Sequence, residues 1–346
     1  MMYINDNHNH NMVLFFHKLQ GNLMRLILTL LLLLHVTLDA SQKLVIAGPF
    51  ASVSHPILEM VKTNALKDLS VEIEFRLWKN PDELRALVIT GDVDMVALPT
   101  NTAAILYNKG VDIQLISVST WGILGMISRD PTLKTLKDFK GKEIIVPFRA
   151  DMPDIVFTEL LKAQGMDPKK DFDLKYVASP IDAMQMLILR RADHVLLAEP
   201  AISVALRKTK SFPIRIIAPD LHRSADLQEE WAKTFHTSVD VPQAGIAVLG
   251  ELKNNKVLIN RFLQEYEKAI AWYKANPEKA GDLVAEEIDM LSSEGVMDSI
   301  AYVNLKNVSA IDSREKLEFF FEVLKKGNPK SIGKKLPDDG FYYRAK

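Results

Sequence analysis

The sequence predicts an α/β fold of two lobes joined by two hinge crossovers, and three observations carry that prediction. Short apolar strands alternate with helical stretches from Lys43 onward, the spacing that builds βαβ units and largely parallel sheets. The alternation restarts after Asp130 and Pro131, with no residue-level repeat between the two units. Two extended apolar segments rich in small residues, 117–128 and 241–249, bracket the second unit. Paired extended links between two α/β lobes make a hinge.

In the first unit KLVIAG (43–48), VEIEF (71–75), DMVAL (94–98) and DIQLISVS (112–119) read as strands. Helices follow at 55–67, from Pro81 through 89, and from a cap at Asn101 to 108, where Gly110 supplies a left-handed stop. In the second unit KEIIVP (142–147), FDLKYV (172–177), HVLLA (194–198) and IRIIA (214–218) are the strands, with helices at 154–164, 181–191 and 201–208. Beyond VPQAGIAVLG (241–250) the chain turns helical. Segment 255–275 sets Leu258, Phe262, Tyr266, Ile270 and Tyr273 at steps of three and four. Pro277 opens another helix, 313–326 is the last, and the tail KKLPDDGFYYRAK reads as loop.

A chain of 346 residues, 48% hydrophobic and 25% charged, has enough apolar material for one large core or two smaller ones. A net charge of −1 and the lack of basic runs or zinc-ligand spacing argue against nucleic acid. The absence of cysteine excludes disulfides, thiolate sites and lipid attachment to cysteine. Segment 26–34, LILTLLLLL, follows Arg25 and ends near Ala40 and Ser41. This is the pattern of a cleaved secretory signal, too short to span a bilayer. We place cleavage after Ala40, treat 1–40 as extension plus signal, and expect a free periplasmic protein, not a lipoprotein. Met1, Met12 and Met24 all remain open as starts.

Three segments resemble a known family. They are GDVDMVALPTNTAAILYNKGVDIQLISVSTWG, TLKDFKGKEIIVP and RRADHVLLAEPAISVAL, within 43–206. They are similar to the substrate-binding proteins of nitrate/sulfonate/taurine and thiamine-precursor (NMT1/THI5-like) ABC importers. The resemblance implies a two-lobed type II periplasmic-binding-protein fold with two hinge crossovers. Lobe 1 is then 43–125 plus 246–346, and lobe 2 is 126–245. It also implies a monomer that docks on an ABC permease and hands over a small solute, with no cofactor, no metal and no catalysis. Two other readings stay open: an enzyme of thiamine-pyrimidine or menaquinone biosynthesis on the same fold, and a ligand sensor without transport.

Ligands of open α/β sheets bind beyond the carboxyl ends of the strands. That rule selects Phe50, Ser52, Ser54 and His55 after the first strand, Trp78 after the second, and Pro99, Thr100 and Asn101 after the third. The crossovers add Trp121 and Gln243. The second unit adds Phe148, Arg149, Asp151 and Glu199. Phe50, Trp78, Trp121 and Phe148 offer aromatic faces for stacking. Arg149 either grips an anion beside a helix N-terminus or pairs with Asp151. The serines, Thr100 and Asn101 either donate to a ligand or cap helices. Glu199 either holds a cationic group or is a first-turn acid.

Overall fold

The computed structural model describes residues 42–217 and 220–344. The signal segment and its cleavage site lie outside the described residues. Strands β1 (Gln42–Gly48), β2 (Val71–Leu77), β3 (Met95–Pro99) and β4 (Ile113–Thr120) enter a first sheet. Strands β5 (Leu124–Ser128), β6 (Glu143–Pro147), β7 (Asp173–Val177), β8 (His194–Ala198) and β9 (His222–Asp226) form a second. The chain then returns to the first sheet with β10 (Ala244–Leu249) and β11 (Leu305–Ser309). The strand orders are β11-β4-β10-β3-β1-β2 and β7-β6-β8-β5-β9. The chain therefore crosses between sheets at 121–123 and again just before Ala244, as the two extended links predict.

Helices α1 (His55–Lys62), α2 (Pro81–Thr90) and α3 (Thr100–Asn108) belong to the first βαβ run. Helices α4 (Met152–Ala163), α5 (Pro180–Ile188), α6 (Ala201–Lys210), α7 (Ile214–Ile217) and α8 (Leu227–Phe235) accompany the second sheet. The C-terminal part supplies α9 (Lys256–Ala275), α10 (Pro277–Glu287), α11 (Ser293–Ser299) and α12 (Arg314–Gly327).

The expectation of largely parallel sheets is corrected to mixed ones. β1 and β3 pair in parallel, as do β6 with β7 and β8. The strands at the crossovers are antiparallel: β10 to both β3 and β4, and β5 to both β8 and β9. A strand that re-enters a sheet directly from the other one is free of the crossover helix that forces parallel pairing.

The period of two along each strand divides the apolar residues between two cores. Leu44, Ile46, Met95 and Ala97 face one, and Ala47, Val96 and Leu98 face the other. Each core continues into the second sheet, one through Ile127, Ile145 and Val195, the other through Met126, Ile144 and Leu196. The two cores are thus divided by sheet face, not by lobe.

Local corrections have physical causes. IRIIA is helical over Ile214–Ile217, where Arg215 N–H bonds the Ser211 carbonyl and Ile216 N–H that of Pro213. The proline fixes a helical φ that outweighs the β preference of isoleucine. The sheet position beside β5 goes instead to the polar His222–Asp226. Asn101 does not cap α3. It lies within the first turn and donates from Nδ2 to the Ser331 carbonyl. Helix α1 stops at Lys62, short of the expected 67.

Gly245 of β10 lies against the Ser117 carbonyl of β4, and a Cβ there would penetrate that oxygen. Gly245→Ala is expected to cost about 1–3 kcal/mol, the usual toll of overpacking, read as a lower urea midpoint.

Candidate functional site

The carboxyl ends of strands from both sheets converge on one small cavity of about 80 Å³. From the first sheet, Phe50 and Val53 follow β1, Trp78 follows β2, and Pro99 and Thr102 follow β3. From the second, Phe148, Asp151 and Met152 follow β6, Pro180 follows β7 and Ala198 ends β8. Ile123 and Ala244, at the two crossovers, complete the wall. Of the residues singled out by sequence, Phe50, Trp78, Pro99, Phe148 and Asp151 line it. Trp78 is held by its Nε1–H, which donates to the Ala97 carbonyl at 3.1 Å.

The loop after β6 has a strained course. Phe148 and Ala150 both take positive φ, 57° and 62°, a region few non-glycine residues visit. Asp154 braces the loop by accepting from Ala150 N–H at 2.7 Å, and Asp151 N–H bonds the Phe148 carbonyl at 2.9 Å. This course puts Phe148 and Asp151 in the wall. It leaves Arg149 exposed, with its guanidinium 5.1 Å from the Tyr176 ring centroid and outside the cavity lining.

Thr102 and Asp151 are the polar side chains of an otherwise apolar lining, and Asp151 is already engaged. Its Oδ2 accepts from Arg85 Nη2 at 2.8 Å, and Oδ1 lies 3.5 Å from Thr102 Oγ1. Arg85 and Thr102 stand on α2 and α3, whereas Asp151 precedes α4, so the pair ties the two halves together beside the cavity. Burial pushes the Asp151 carboxyl upward, and the Arg85 charge opposes it. Sequence reasoning missed Arg85 and Thr102. Arg85 reads as a helix-surface residue paired with Asp82, a contact it also makes.

The remaining candidates hold the frame. His55 is buried between Tyr273 and the β1–α1 loop. Its Nε2 is 3.0 Å from the Phe50 carbonyl, which only accepts, so Nε2 carries the proton. Nδ1 then accepts from Tyr273 Oη at 2.8 Å. Burial lowers the His55 pKa to about 4, which keeps the imidazole neutral at physiological pH. His55 therefore fixes the backbone of Phe50. Ser52 and Ser54 are buried in the same loop, outside the cavity lining.

Thr100 donates from Oγ1 to the Pro242 carbonyl at 2.6 Å. Gln243 accepts from Ile123 N–H at 3.0 Å and so binds one crossover to the other. Trp121 is buried, donates from Nε1 to the Lys306 carbonyl at 3.0 Å, and accepts from Val241 N–H through its own carbonyl. Glu199 is only 1% exposed, forms an ion pair with Arg223 and accepts from Ser203 N–H at 3.1 Å.

The family model described as NMT1/THI5 like matches residues 65–280. The chain belongs to that family. The match spans Trp78, Asp151 and Glu199, while the Phe50 loop precedes it. No curated protein matches the chain in sequence.

Solved structures resemble this NMT1/THI5-like chain over most of its length. An ABC transporter protein from Parabacteroides distasonis is 20% identical with a TM-score of 0.68, covering 87% of this chain and 98% of its own. The periplasmic aliphatic sulphonate binding protein SsuA from Escherichia coli is 13% identical with a TM-score of 0.64, covering 86% and 92%. The periplasmic nitrate-binding protein NrtA from Synechocystis PCC 6803 is 13% identical with a TM-score of 0.63, covering 85% and 86%. The NMT1/THI5-like chain shares with them the two-lobed α/β fold. Among its described residues no helix is long and apolar enough to cross a membrane.

Proposed function

We propose that this chain is the solute-binding component of an ABC importer, a non-catalytic protein that captures a small solute between two lobes and delivers it to a membrane permease. It is exported to the periplasm and acts as a monomer, with lobes at 43–125 plus 246–346 and at 126–245. The observation that carries this reading is the cavity at the strand ends of both sheets, walled by Phe50, Trp78 and Phe148. Binding residues contributed from two halves that a hinge joins are what capture by closure requires. The family and the named neighbours support the same reading.

The solute has an aromatic or apolar body without a full charge. Asp151, the charged group in the wall, is already paired with Arg85. An oxyanion would meet no uncommitted cation there. At about 80 Å³ the closed cavity is well below the roughly 300–1,000 Å³ of ordinary ligand sites. A solute of more than a few heavy atoms therefore binds as the lobes part and closes them around itself.

A thermal-unfolding screen against pyrimidines, neutral aromatic solutes, sulfonates and nitrate tests the proposal. The right solute at 100 times its dissociation constant adds about 2.7 kcal/mol. The Trp78→Ala protein is expected to lose that added shift, and Arg149→Ala to keep it. A shift given only by sulfonates or nitrate and lost in Arg149→Ala would overturn the uncharged solute. Turnover of the solute by purified protein would overturn the binding function itself.

A further inference from the structure

A second cavity, of about 1130 Å³, opens between α6 and β9 on one side and the end of α9, α11 and Tyr302 on the other. It shares no lining residue with the first. Its wall is basic. Arg207, Lys208, Lys210, Arg223 and Lys274 face Glu294 and Asp298.

Internal pairing consumes only part of this charge. Arg207 grips Asp298 through Nε and Nη2 at 2.5 and 2.9 Å, and Arg223 is committed to Glu199 behind the wall. Lys208, Lys210 and Lys274 form no ion pair among the described residues. Lys274 is the informative one. It is exposed along the groove, donates to the Leu305 carbonyl, and lies near a second ammonium, that of Lys306. Partial desolvation at the groove wall and that neighbour both push its pKa down. An anion in the cavity would supply the counter-charge that Lys274 lacks among the described residues. Leu206, Met297, Ile300 and Tyr302 add apolar surface to the same wall, and Arg223 lies 3.6 Å from the Tyr302 ring centroid.

We propose that this groove is a second ligand site, for an organic phosphomonoester whose phosphate sits on Lys274 and the neighbouring lysines and whose apolar body lies along Tyr302. A dianion suits several uncommitted cations better than a single charge does, and the size of the groove suits a complete small molecule. Its two walls come from elements on either side of the crossovers.

Isothermal titration of the full chain with phenyl phosphate, inorganic phosphate and phenol at physiological ionic strength tests the site. The expected result is saturable one-site binding of phenyl phosphate, tighter than inorganic phosphate, with none for phenol. Lys274→Met, which keeps the apolar stem, weakens binding about tenfold or more, the worth of one charge-assisted hydrogen bond. Lys208→Gln also weakens it, and binding persists in Trp78→Ala. Absence of saturable heat, or indifference to both lysine variants, overturns the site. Inorganic phosphate binding as tightly as phenyl phosphate overturns the organic ligand. Loss of binding in Trp78→Ala would put the anion in the solute cavity, and so overturn the groove while leaving the proposed transport role standing.

Discussion

Trp121→Ala is expected to lower the free energy of unfolding by about 3–5 kcal/mol, the range for removing a buried aromatic side chain. The indole is fully enclosed at 1% exposure and its N–H is used. Its position makes the loss more than a cavity. Lys306 and Lys316 lie 5.0 and 5.3 Å from its ring, and both reach Asp240 at 2.7 Å on the returning crossover. Asn304 adds a third contact to Asp240 at 2.9 Å, and together these hold the Asp240 carboxyl down to about 2. Trp121 is thus the point at which both crossovers, β11 and α12 meet. Trp121→Phe, which keeps most of the volume but not the N–H, should recover more than half of the loss. A urea midpoint for Trp121→Ala close to that of the parent chain would show that the crossovers are not joined there.

That same residue shows how far sequence reasoning reaches. The strand-end rule selected Phe50, Trp78, Phe148 and Trp121 on equal grounds, because each aromatic follows a strand. Three line the cavity. The fourth is turned into the frame, beside a Gly122 whose φ of 147° an ordinary residue rarely adopts. Arg149 and Asp151 present the same difficulty within one loop. Which of them faces inward is decided by positive φ at Phe148 and Ala150, and neither residue type announces such a conformation.

The strands that were legible are those with an apolar run or alternation: β1, β2, β3, β4, β6, β7 and β8 as strands, and β5 and β10 within the extended crossovers. The edge strands β9 (HRSAD) and β11 (LKNVS) carry polar side chains and contribute mainly backbone, so no pattern marks them. Helix α11 was likewise missed, being short and rich in serine. The Arg85–Asp151 tie spans 66 positions and depends wholly on how α2 meets the loop before α4.

Arg223→Ala is expected to be as damaging as the loss of Trp121, but only above the pH at which Glu199 takes up a proton. Glu199 is nearly inaccessible, and its partners among the described residues are Arg223 and Ser203, the latter through both its backbone N–H and its hydroxyl. Removing the guanidinium strands a buried carboxylate, a change that typically costs about 3–5 kcal/mol. Burial already raises the Glu199 pKa above its ordinary 4.5, and Arg223 is what limits the rise. In the variant the rise is larger. Between the unfolded and folded pKa values the native state then binds the proton that the unfolded chain has released, so stability increases as pH falls through that window. The deficit of Arg223→Ala relative to the parent chain should therefore be greatest at pH 7.5 and shrink markedly by pH 5. Glu199→Gln combined with Arg223→Ala should recover much of it at pH 7.5, since a neutral amide needs no counter-charge. A deficit that is the same at both pH values, and is not recovered by the double variant, would assign the effect to lost packing of Arg223 on Tyr302, 3.6 Å away. Glu199 would then be an acid sheltered by its surroundings and not by its ion pair.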